Sequence, residues 1–230
     1  MRKIAILMFF IGTGRIDASQ LPRDVWIWAG IQATANDDGR ALFILQGAFD
    51  EINASTVFVR QGLGPSPLMQ KRSPVILVFR LRKIVNPAVI ARAYSGLVSH
   101  WAYHGVRVIG LQIDYDSATD ALPKYGNFLL QLRGLIGPGK ILSITALADW
   151  LVSANGNDLG MLANACDEIV FQLYHGRHVL PKIEVYIAAL RRLKFPFKIG
   201  LLESINENDL EQSVSKNSQF KGSILFRQKR

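Results

Sequence analysis

Short apolar runs with the length of β-strands recur along the chain from residue 24 onward. Turn-forming or polar residues bound most of them, which is typical of strands in globular proteins. The run at 55–60 follows its predecessor closely enough to be its hairpin partner, so we treat it separately from the principal strands. The principal strands are predicted at 25–29, 41–46, 74–80, 106–116, 140–146, 168–174, 197–202 and 222–226.

Helical segments alternate with the strands from the third principal strand onward. The first helix is predicted to start at Asn86, a cap residue followed by Pro87, and to stop at Gly105. A proline at the first position and a glycine just past the end are typical of helix boundaries. Further helices are predicted at 125–135, 159–165, 181–193 and 207–216. This alternation indicates parallel βα units.

The number and order of these units favour an α/β fold, a (β/α)8 TIM-type barrel with short or missing first helices. The polar loop around 36–39 is too short to carry a regular covering helix. An open doubly wound sheet is the alternative, but no glycine-rich phosphate-binding turn follows the first strand. We therefore predict one barrel domain over residues 19–230.

Residues 1–18 have the layout of a secretory signal peptide. Arg2 and Lys3 form a basic start, residues 4–11 form a short apolar core, and Ala18 is a small residue suited to cleavage. The apolar core is too short to span a bilayer. A buried first strand is the alternative for this segment. We expect export to the periplasm or the extracellular space, with no stable membrane insertion after the signal peptide is removed.

The 230-residue chain has an ordinary globular composition and a formal net charge of +9. Cleavage after Ala18 would remove three basic residues and one acidic residue, which leaves a charge of +7. A basic surface favours encounter with anionic polymers. The basic residues are scattered, however, and no nucleic-acid recognition motif accompanies them, so we expect no nucleic-acid partner. The single cysteine, Cys166, excludes an internal disulfide.

The strand predicted at 106–116 ends in two carboxylates one residue apart. Because successive side chains of a strand alternate between its faces, Gln112, Asp114 and Asp116 should share one face. Two neighbouring carboxylates resist simultaneous ionisation, which helps one of them to act as an acid. The alternative is a structural polar layer in which the carboxylates pair with Arg80 or Arg227.

Polar or aromatic residues end nearly every predicted strand. The carboxyl ends of barrel strands carry the active site in enzymes with this fold, so these residues indicate a cleft for a polar ligand, with aromatic rings as platforms for sugars. Arg80 is expected to pair with a strand-end carboxylate, and recognition of an acidic sugar is the alternative. The predicted binding residues are Trp28, Gln46, Arg80, Gln112, Tyr115, Thr145, Trp150, Gln172, His175, Glu203 and Arg227.

Two histidine pairs are candidate ligand-contacting residues, the first of them for a metal. His100 and His104 have the spacing of a zinc-binding helix, but Trp101 occupies the position of the glutamate in that motif. His175 and His178 follow a strand end and are interpreted as solvated loop residues, with ligand contact as the alternative. We expect neither a metal nor another cofactor.

The stretch Ile-Gly-Leu-Gln-Ile-Asp-Tyr-Asp at 109–116 resembles a degenerate form of the fourth-strand signature of chitinase-like glycoside hydrolases of family eighteen, Asp-Gly-x-Asp-x-Asp-x-Glu. The Gln-Leu-Tyr segment at 172–174 falls on the sixth strand, where that family has Met-x-Tyr-Asp. A broader similarity, to a bacterial family known only as a domain of unknown function with exported members, rests on residues 26–28, 45–47, 78–80, 110–116, 143–150 and 171–174.

The resemblance implies that Asp116 is the general acid, which protonates the departing glycosidic oxygen. Asp114 would orient a substrate acetamide that attacks the anomeric carbon, and Tyr174 would hydrogen-bond to that group. Asp116 is one methylene shorter than the family's glutamate, and His175 replaces the family's sixth-strand aspartate. The expected function is therefore an exported glycosidase-like barrel that acts on a cell-envelope or extracellular polysaccharide. A non-catalytic carbohydrate-binding or envelope-assembly protein that uses the same cleft is the alternative.

Overall fold

Eight parallel strands close into a barrel in the computed structural model, which describes residues 23–32, 34, 40–53, 55–65, 73–203 and 207–227. Around the barrel the order is β1-β2-β4-β5-β6-β7-β10-β11, and β11 pairs back to β1. This closure confirms the predicted barrel and excludes the open sheet. The strands are β1 (Asp24–Ile27), β2 (Leu42–Ile52), β3 (Ser55–Arg60), β4 (Val75–Leu81), β5 (Val108–Asp114), β6 (Ile141–Leu147), β7 (Glu168–Gln172), β8 (Tyr174–His175), β9 (His178–Val179), β10 (Phe197–Leu202) and β11 (Phe220–Arg227).

Among the described residues, helices cover the barrel only from β4 onward. Of the described residues between β1 and β2 none is helical, and between β2 and β4 the chain forms β3, which pairs antiparallel with β2. The predicted loss of the first two helices is thereby confirmed for the described part of the chain. The helices are α1 (Pro87–Tyr103), α2 (Leu122–Ile136), α3 (Trp150–Ser153), α4 (Gly156–Ala165), α5 (Ile183–Leu190) and α6 (Glu207–Val214).

The start of α1 follows the local rules that predicted it. The Asn86 side chain accepts a hydrogen bond from the backbone N–H of Ala88 at 2.9 Å, and Pro87 needs no partner at the first position. After the helix, Gly105 adopts a positive φ of 74°, a conformation that costs glycine least. The chain is thus turned into β5, whose carboxyl end carries the two aspartates.

The segment predicted as a signal peptide, residues 1–18, lies outside the described residues, and export stays a prediction. No helix within the described ranges is long and apolar enough to cross a membrane.

Two hydrophobic clusters lie on the two sides of the barrel wall. The outer cluster packs the strands against the helices and includes the fully buried Trp101 and Trp150. The inner cluster fills the barrel with alternate residues of the same strands, because side chains of successive positions point to opposite faces. Its buried members are Trp26, Phe43, Leu45, Ile76, Val78, Val170, Leu202, Ile224 and Phe226.

A chain of polar groups also crosses the barrel interior. The indole N–H of Trp26 donates to Gln112 Oε1 at 2.7 Å, and Gln112 Nε2 donates to Ser143 Oγ at 2.9 Å. The Ser143 hydroxyl in turn donates to Glu168 Oε1 at 3.0 Å. Each of these buried groups therefore has the hydrogen-bond partner that burial of a polar group requires.

The row of polar groups leads from Glu168 to a largely buried ion group at the amino ends of the strands. Lys198 Nζ lies 2.7 Å from Glu168 Oε2 and 2.6 Å from Asp24 Oδ2. Burial lowers the pKa of Lys198, but the charges of Glu168 and Asp24 and the hydrogen bonds to them outweigh burial, so its pKa is raised overall. One ammonium thus links β1, β7 and β10 inside the barrel.

We predict that Lys198→Met destabilises the protein by about 3–5 kcal/mol, because it leaves two carboxylates buried without a counter-charge. The free energy of unfolding in urea measures the effect. Lys194→Met, at an exposed lysine of the same region, is the control and should stay within about 0.5 kcal/mol of the parent. A Lys198→Met variant as stable as the control would contradict this account of the ion group.

Candidate functional site

Arg80 connects the two aspartates at the carboxyl end of the barrel. The residue follows Ile76 and Val78 on the inward face of β4 and is paired in register with Asp114 of β5. Arg80 Nε lies 3.8 Å from Asp114 Oδ2, and Arg80 Nη2 lies 3.5 Å from Asp116 Oδ2. Both distances exceed the usual 2.7–3.2 Å of an N–H···O hydrogen bond. The guanidinium therefore neutralises the carboxylates without being fully occupied by them.

Asp114 is buried and held in place by the neighbouring strand. The Thr145 hydroxyl of β6 donates to Asp114 Oδ1 at 2.8 Å, and the carboxyl side chain is only 7% exposed. Burial raises the pKa of Asp114, and the charge of Asp116 adds to this, whereas the Thr145 hydrogen bond and the Arg80 charge oppose it. The net shift is upward, which favours a carboxyl that keeps its proton and can donate it.

Asp116 lies beyond the end of β5 and faces an open pocket. Its side chain is 55% exposed, in contrast to Asp114. The pocket has a volume of about 440 Å³ and is also lined by Tyr115, Arg80, Arg82 and Gln61. Asp116 is thus the carboxylate that a ligand entering from solvent can reach.

Tyr174 lies in β8, just past the carboxyl end of β7. Burial raises the pKa of Tyr174 well above its ordinary value, and the negative charges of Asp114 and Asp116 raise it further, against a hydrogen bond from Gln172. The 3.5 Å distance from Gln172 Nε2 to the Tyr174 hydroxyl is long for a hydrogen bond. The structure therefore brings Asp114, Asp116 and Tyr174 within electrostatic reach of one another, with the phenol in its donating form.

Aromatic rings form the floor and one wall of this site. Trp26 packs on Phe226 with ring centroids 5.3 Å apart, and Tyr174 lies against the same Phe226 at 5.2 Å. Above them Trp28 is half-buried, and the Arg80 guanidinium lies 5.9 Å from its ring centroid, a cation–π distance. Trp28 is therefore placed as predicted, at the mouth of the barrel beside the charged residues.

Two of the predicted binding residues lie outside the barrel mouth, and these predictions are wrong. Gln46 is a bulged residue of β2 whose side chain is buried, where it accepts from Trp101 Nε1 and donates to the Leu63 carbonyl. Trp150 is fully buried in the outer cluster, and its indole N–H donates to the Ser117 carbonyl at 3.0 Å. Because successive side chains of β2 alternate, Gln46 faces outward with Leu42 and Ile44, away from the inward-facing Phe43 and Leu45.

Three other predicted residues take roles different from direct binding. Gln112 is fully buried in the polar chain below the mouth, and Thr145 is buried where it holds Asp114. Tyr115 packs against Tyr125 of α2 on the outer side of the wall but also lines the pocket beside Asp116. Gln172 is half-buried beneath Tyr174 and orients its hydroxyl.

The remaining predicted residues lie on other loops of the carboxyl face. His175 is exposed and pairs across a two-strand turn with His178. Glu203 accepts a hydrogen bond from Arg227 Nε at 3.3 Å, and Arg227 also reaches the Gln32 carbonyl at 3.4 Å. This pair holds the loop that follows β1, and the predicted pairing of the central carboxylates is made by Arg80 instead of Arg227.

Sequence reasoning missed Arg82 and Gln61, both of which line the pocket. Arg82 follows Arg80 by two residues just past the end of β4, and this alternation was an available signal. Gln61 could not be placed from the sequence, since it reaches the pocket through the β2–β3 hairpin. That hairpin replaces a covering helix and forms one side of the cleft.

We predict that Asp114→Asn becomes increasingly more stable than the parent protein as pH rises. An acid whose pKa is raised on folding binds its proton more tightly in the folded state, so its contribution is greatest below its ordinary pKa of 3.8. This contribution of Asp114 to stability is lost as pH rises through the pKa of the carboxyl in the folded protein. Asparagine keeps the acceptor for Thr145 without this loss.

Urea unfolding of both proteins across the acidic to neutral range measures the difference. Asp149→Asn, at an exposed aspartate with no side-chain cap bond, is the control and should show little change with pH. A pH-independent difference between Asp114→Asn and the parent would rule out the buried, proton-retaining carboxyl.

Solved structures with the same architecture include plant inhibitors and a chitinase domain. The xylanase and α-amylase inhibitor protein XAIP-I, solved in complex with trehalose, superposes with a TM-score of 0.62 at 14% identity over 90% of this chain and 93% of that one. XAIP-II from Scadoxus multiflorus gives 0.61 at 14% identity, over 90% and 92%. The chitinase domain of the spore coat protein CotE from Clostridium difficile gives 0.50 at 13% identity, over 79% and 66%. At these identities the likeness establishes the TIM-barrel fold.

The sequence itself matches one family model. No curated protein matches the chain significantly. The model described as a domain of unknown function, DUF3142, covers residues 71–189, which is more than half of the chain and includes β4 to β7. The predicted similarity to a family of unknown function is confirmed, and this TIM barrel belongs to the DUF3142 family.

Proposed function

We propose that this protein is a glycoside hydrolase that cleaves a polysaccharide containing N-acetylated sugars. The observation that carries the proposal is the convergence of Asp114, Asp116 and Tyr174 at the carboxyl end of the barrel. These are the positions at which the chitinase-like signature has its acid, its partner carboxyl and its acetamide-binding tyrosine. The solved chitinase domain with the same fold is consistent with this chemistry.

Each residue has a role that fits its surroundings. Asp116, which is exposed to the pocket, gives its proton to the glycosidic oxygen as the bond to the anomeric carbon breaks. The substrate's own acetamide oxygen forms the new bond to that carbon. Asp114 and Tyr174 hydrogen-bond to the acetamide and hold it in line. Water then opens the cyclic intermediate and returns a proton to Asp116.

The shape of the mouth supports a sugar as the ligand. Trp28 presents a half-buried ring beside Arg80 and above the Trp26 and Phe226 floor. A flat aromatic surface next to hydrogen-bonding groups matches a pyranose ring, which has an apolar face and a polar rim. Because aspartate is shorter than the glutamate of the chitinase-like signature, the scissile bond must approach residue 116 more closely.

A second candidate, a carbohydrate-binding protein without hydrolytic activity, is favoured by the position of Arg80. Its guanidinium lies between Asp114 and Asp116 and attracts both carboxylates. An arginine that stays beside Asp116 keeps that carboxylate in an ion pair, away from a glycosidic oxygen. The two candidates therefore differ in whether Arg80 leaves Asp116 when the ligand binds.

We further propose that the protein is exported and acts on a cell-envelope or extracellular polysaccharide. The support is the basic start, the short apolar core and Ala18 in the first 18 residues. Expression of the full chain in a bacterial host should yield a periplasmic protein whose mass corresponds to cleavage after Ala18. Recovery of the intact chain from the cytoplasm alone would contradict export.

We predict that Asp116→Asn lowers the rate of polysaccharide cleavage by roughly a hundredfold to ten-thousandfold, the usual contribution of a general acid. The measurement is reducing-end release from N-acetylglucosamine polymers and from a panel of bacterial polysaccharides. Glu184→Gln, at an exposed carboxylate on α5, is the matched control and should retain full activity.

Undiminished turnover by Asp116→Asn would contradict the assignment of the acid. No release by the parent protein, together with saturable glycan binding that survives Asp116→Asn, would favour the carbohydrate-binding candidate instead.

A further inference from the structure

The pocket beside the proposed catalytic group has a basic side that the cleavage chemistry does not use. It is open, about 440 Å³ in volume, and lies between the β2–β3 hairpin and the carboxyl ends of β4 and β5. Arg80, Arg82 and Gln61 contribute its polar lining, and Tyr115 contributes apolar surface. Two guanidinium groups and an amide around a sugar-sized volume are suited to an anionic group.

Neither arginine is saturated by the carboxylates around it. Arg82 Nη1 lies 3.9 Å from Asp50 Oδ2, and the Arg82 side chain is 67% exposed. The contacts of Arg80 with Asp114 and Asp116 are 3.8 and 3.5 Å long. A guanidinium has five N–H donors in a planar fork that matches a carboxylate. Both arginines therefore have donors available for a ligand.

We propose that this pocket binds the carboxylate of a uronic acid, so that the substrate is an acidic polysaccharide in which uronic acids neighbour N-acetylated sugars. This inference rests on the proposed function, because it places the acetamido sugar at Asp114, Asp116 and Tyr174. The adjacent acidic sugar then lies in the pocket with its carboxylate toward Arg80 and Arg82. The basic net charge of the chain, +9, favours encounter with such a polymer.

An acidic sugar would also explain how Asp116 is freed from its contact with Arg80. In the free protein Arg80 is the counter-charge of Asp116 at 3.5 Å. A substrate carboxylate in the pocket takes the place of Asp116 at the guanidinium. Asp116 is then released toward the glycosidic oxygen only when the correct substrate is bound. Arg80 thus links recognition of the acidic sugar to the availability of the acid.

The test compares oligosaccharides that differ only in the carboxylate. A hyaluronan hexasaccharide, which alternates glucuronic acid with N-acetylglucosamine, is titrated into the full-length Asp116→Asn protein by calorimetry. The same hexasaccharide with its carboxyl groups reduced to alcohols is the neutral partner. We predict that the acidic form binds roughly tenfold to a hundredfold more tightly, as expected for charge-assisted hydrogen bonds.

Arg82→Gln in the same background should remove most of this preference without changing the affinity for the reduced hexasaccharide. Arg92→Gln, at an exposed arginine on α1, is the matched control and should leave the preference intact. Because Arg82 is largely exposed, its substitution is not expected to affect folding. The preference should also weaken as salt concentration rises.

Equal binding of the two hexasaccharides, or no binding of either, would overturn the inference, as would an unchanged preference in Arg82→Gln. Cleavage of neutral N-acetylglucosamine polymers by the parent protein, combined with equal binding, would reject the acidic substrate while leaving the hydrolase proposal in place. A strong preference for the acidic hexasaccharide without any cleavage would support the acidic-sugar pocket and reject the hydrolase proposal.

Discussion

The ion group of Lys198 with Glu168 and Asp24 is the interaction on which the barrel interior depends. Three strands that are far apart in sequence place one ammonium between two carboxylates, 2.7 and 2.6 Å away. The polar chain through Ser143 and Gln112 to Trp26 begins there. Charges removed from water are stable only when paired. The barrel can therefore close only in the arrangement that pairs these three charges.

The two ends of the barrel differ in how closely their charged side chains are paired. At the amino end the side chains of the ion group are only 13–15% exposed and closely paired, so this end holds strands together. At the carboxyl end the ion contacts of Arg80 are longer, and Asp116 is largely exposed. Between the two ends, Trp26 contacts Gln112 below and Trp28 above. The hydrogen-bonded interior thus supports a barrel mouth in which Arg80 and Asp116 can still bind a ligand.

Much of the fold could be predicted from the sequence, because the apolar runs of the strands are bounded by clear signals such as Asn86, Pro87 and Gly105. The loss of the first helices was also visible, as a loop too short to contain one. Alternation placed Gln112 and Asp114 on one face of their strand, and strand-end position placed Trp28 and Arg80 at the carboxyl end of the barrel.

The wrong predictions, for Gln46 and Trp150, rested on strand-end position, which does not determine the direction in which a side chain points. Gln46 lies on the outward face of β2 with Leu42 and Ile44 and contacts Trp101. Trp150 packs in the outer core against Tyr125 of α2 instead of facing the mouth. The buried ion group was not foreseen either, since a single charged residue in an apolar run gives no information about its partner. Its members come from β1, β7 and β10 and meet only when the barrel closes.

The central claim is that the carboxyl end of the barrel holds a glycan with its scissile bond at Asp116. The most direct measurement is a crystal structure of the Asp116→Asn protein with a bound N-acetylglucosamine oligomer. We expect a sugar ring beside Trp28, its acetamide at Asp114 and Tyr174, and the glycosidic oxygen within hydrogen-bond distance, about 3 Å, of residue 116. An oligomer bound elsewhere, or bound here with its glycosidic oxygens beyond the reach of residue 116, would contradict the account.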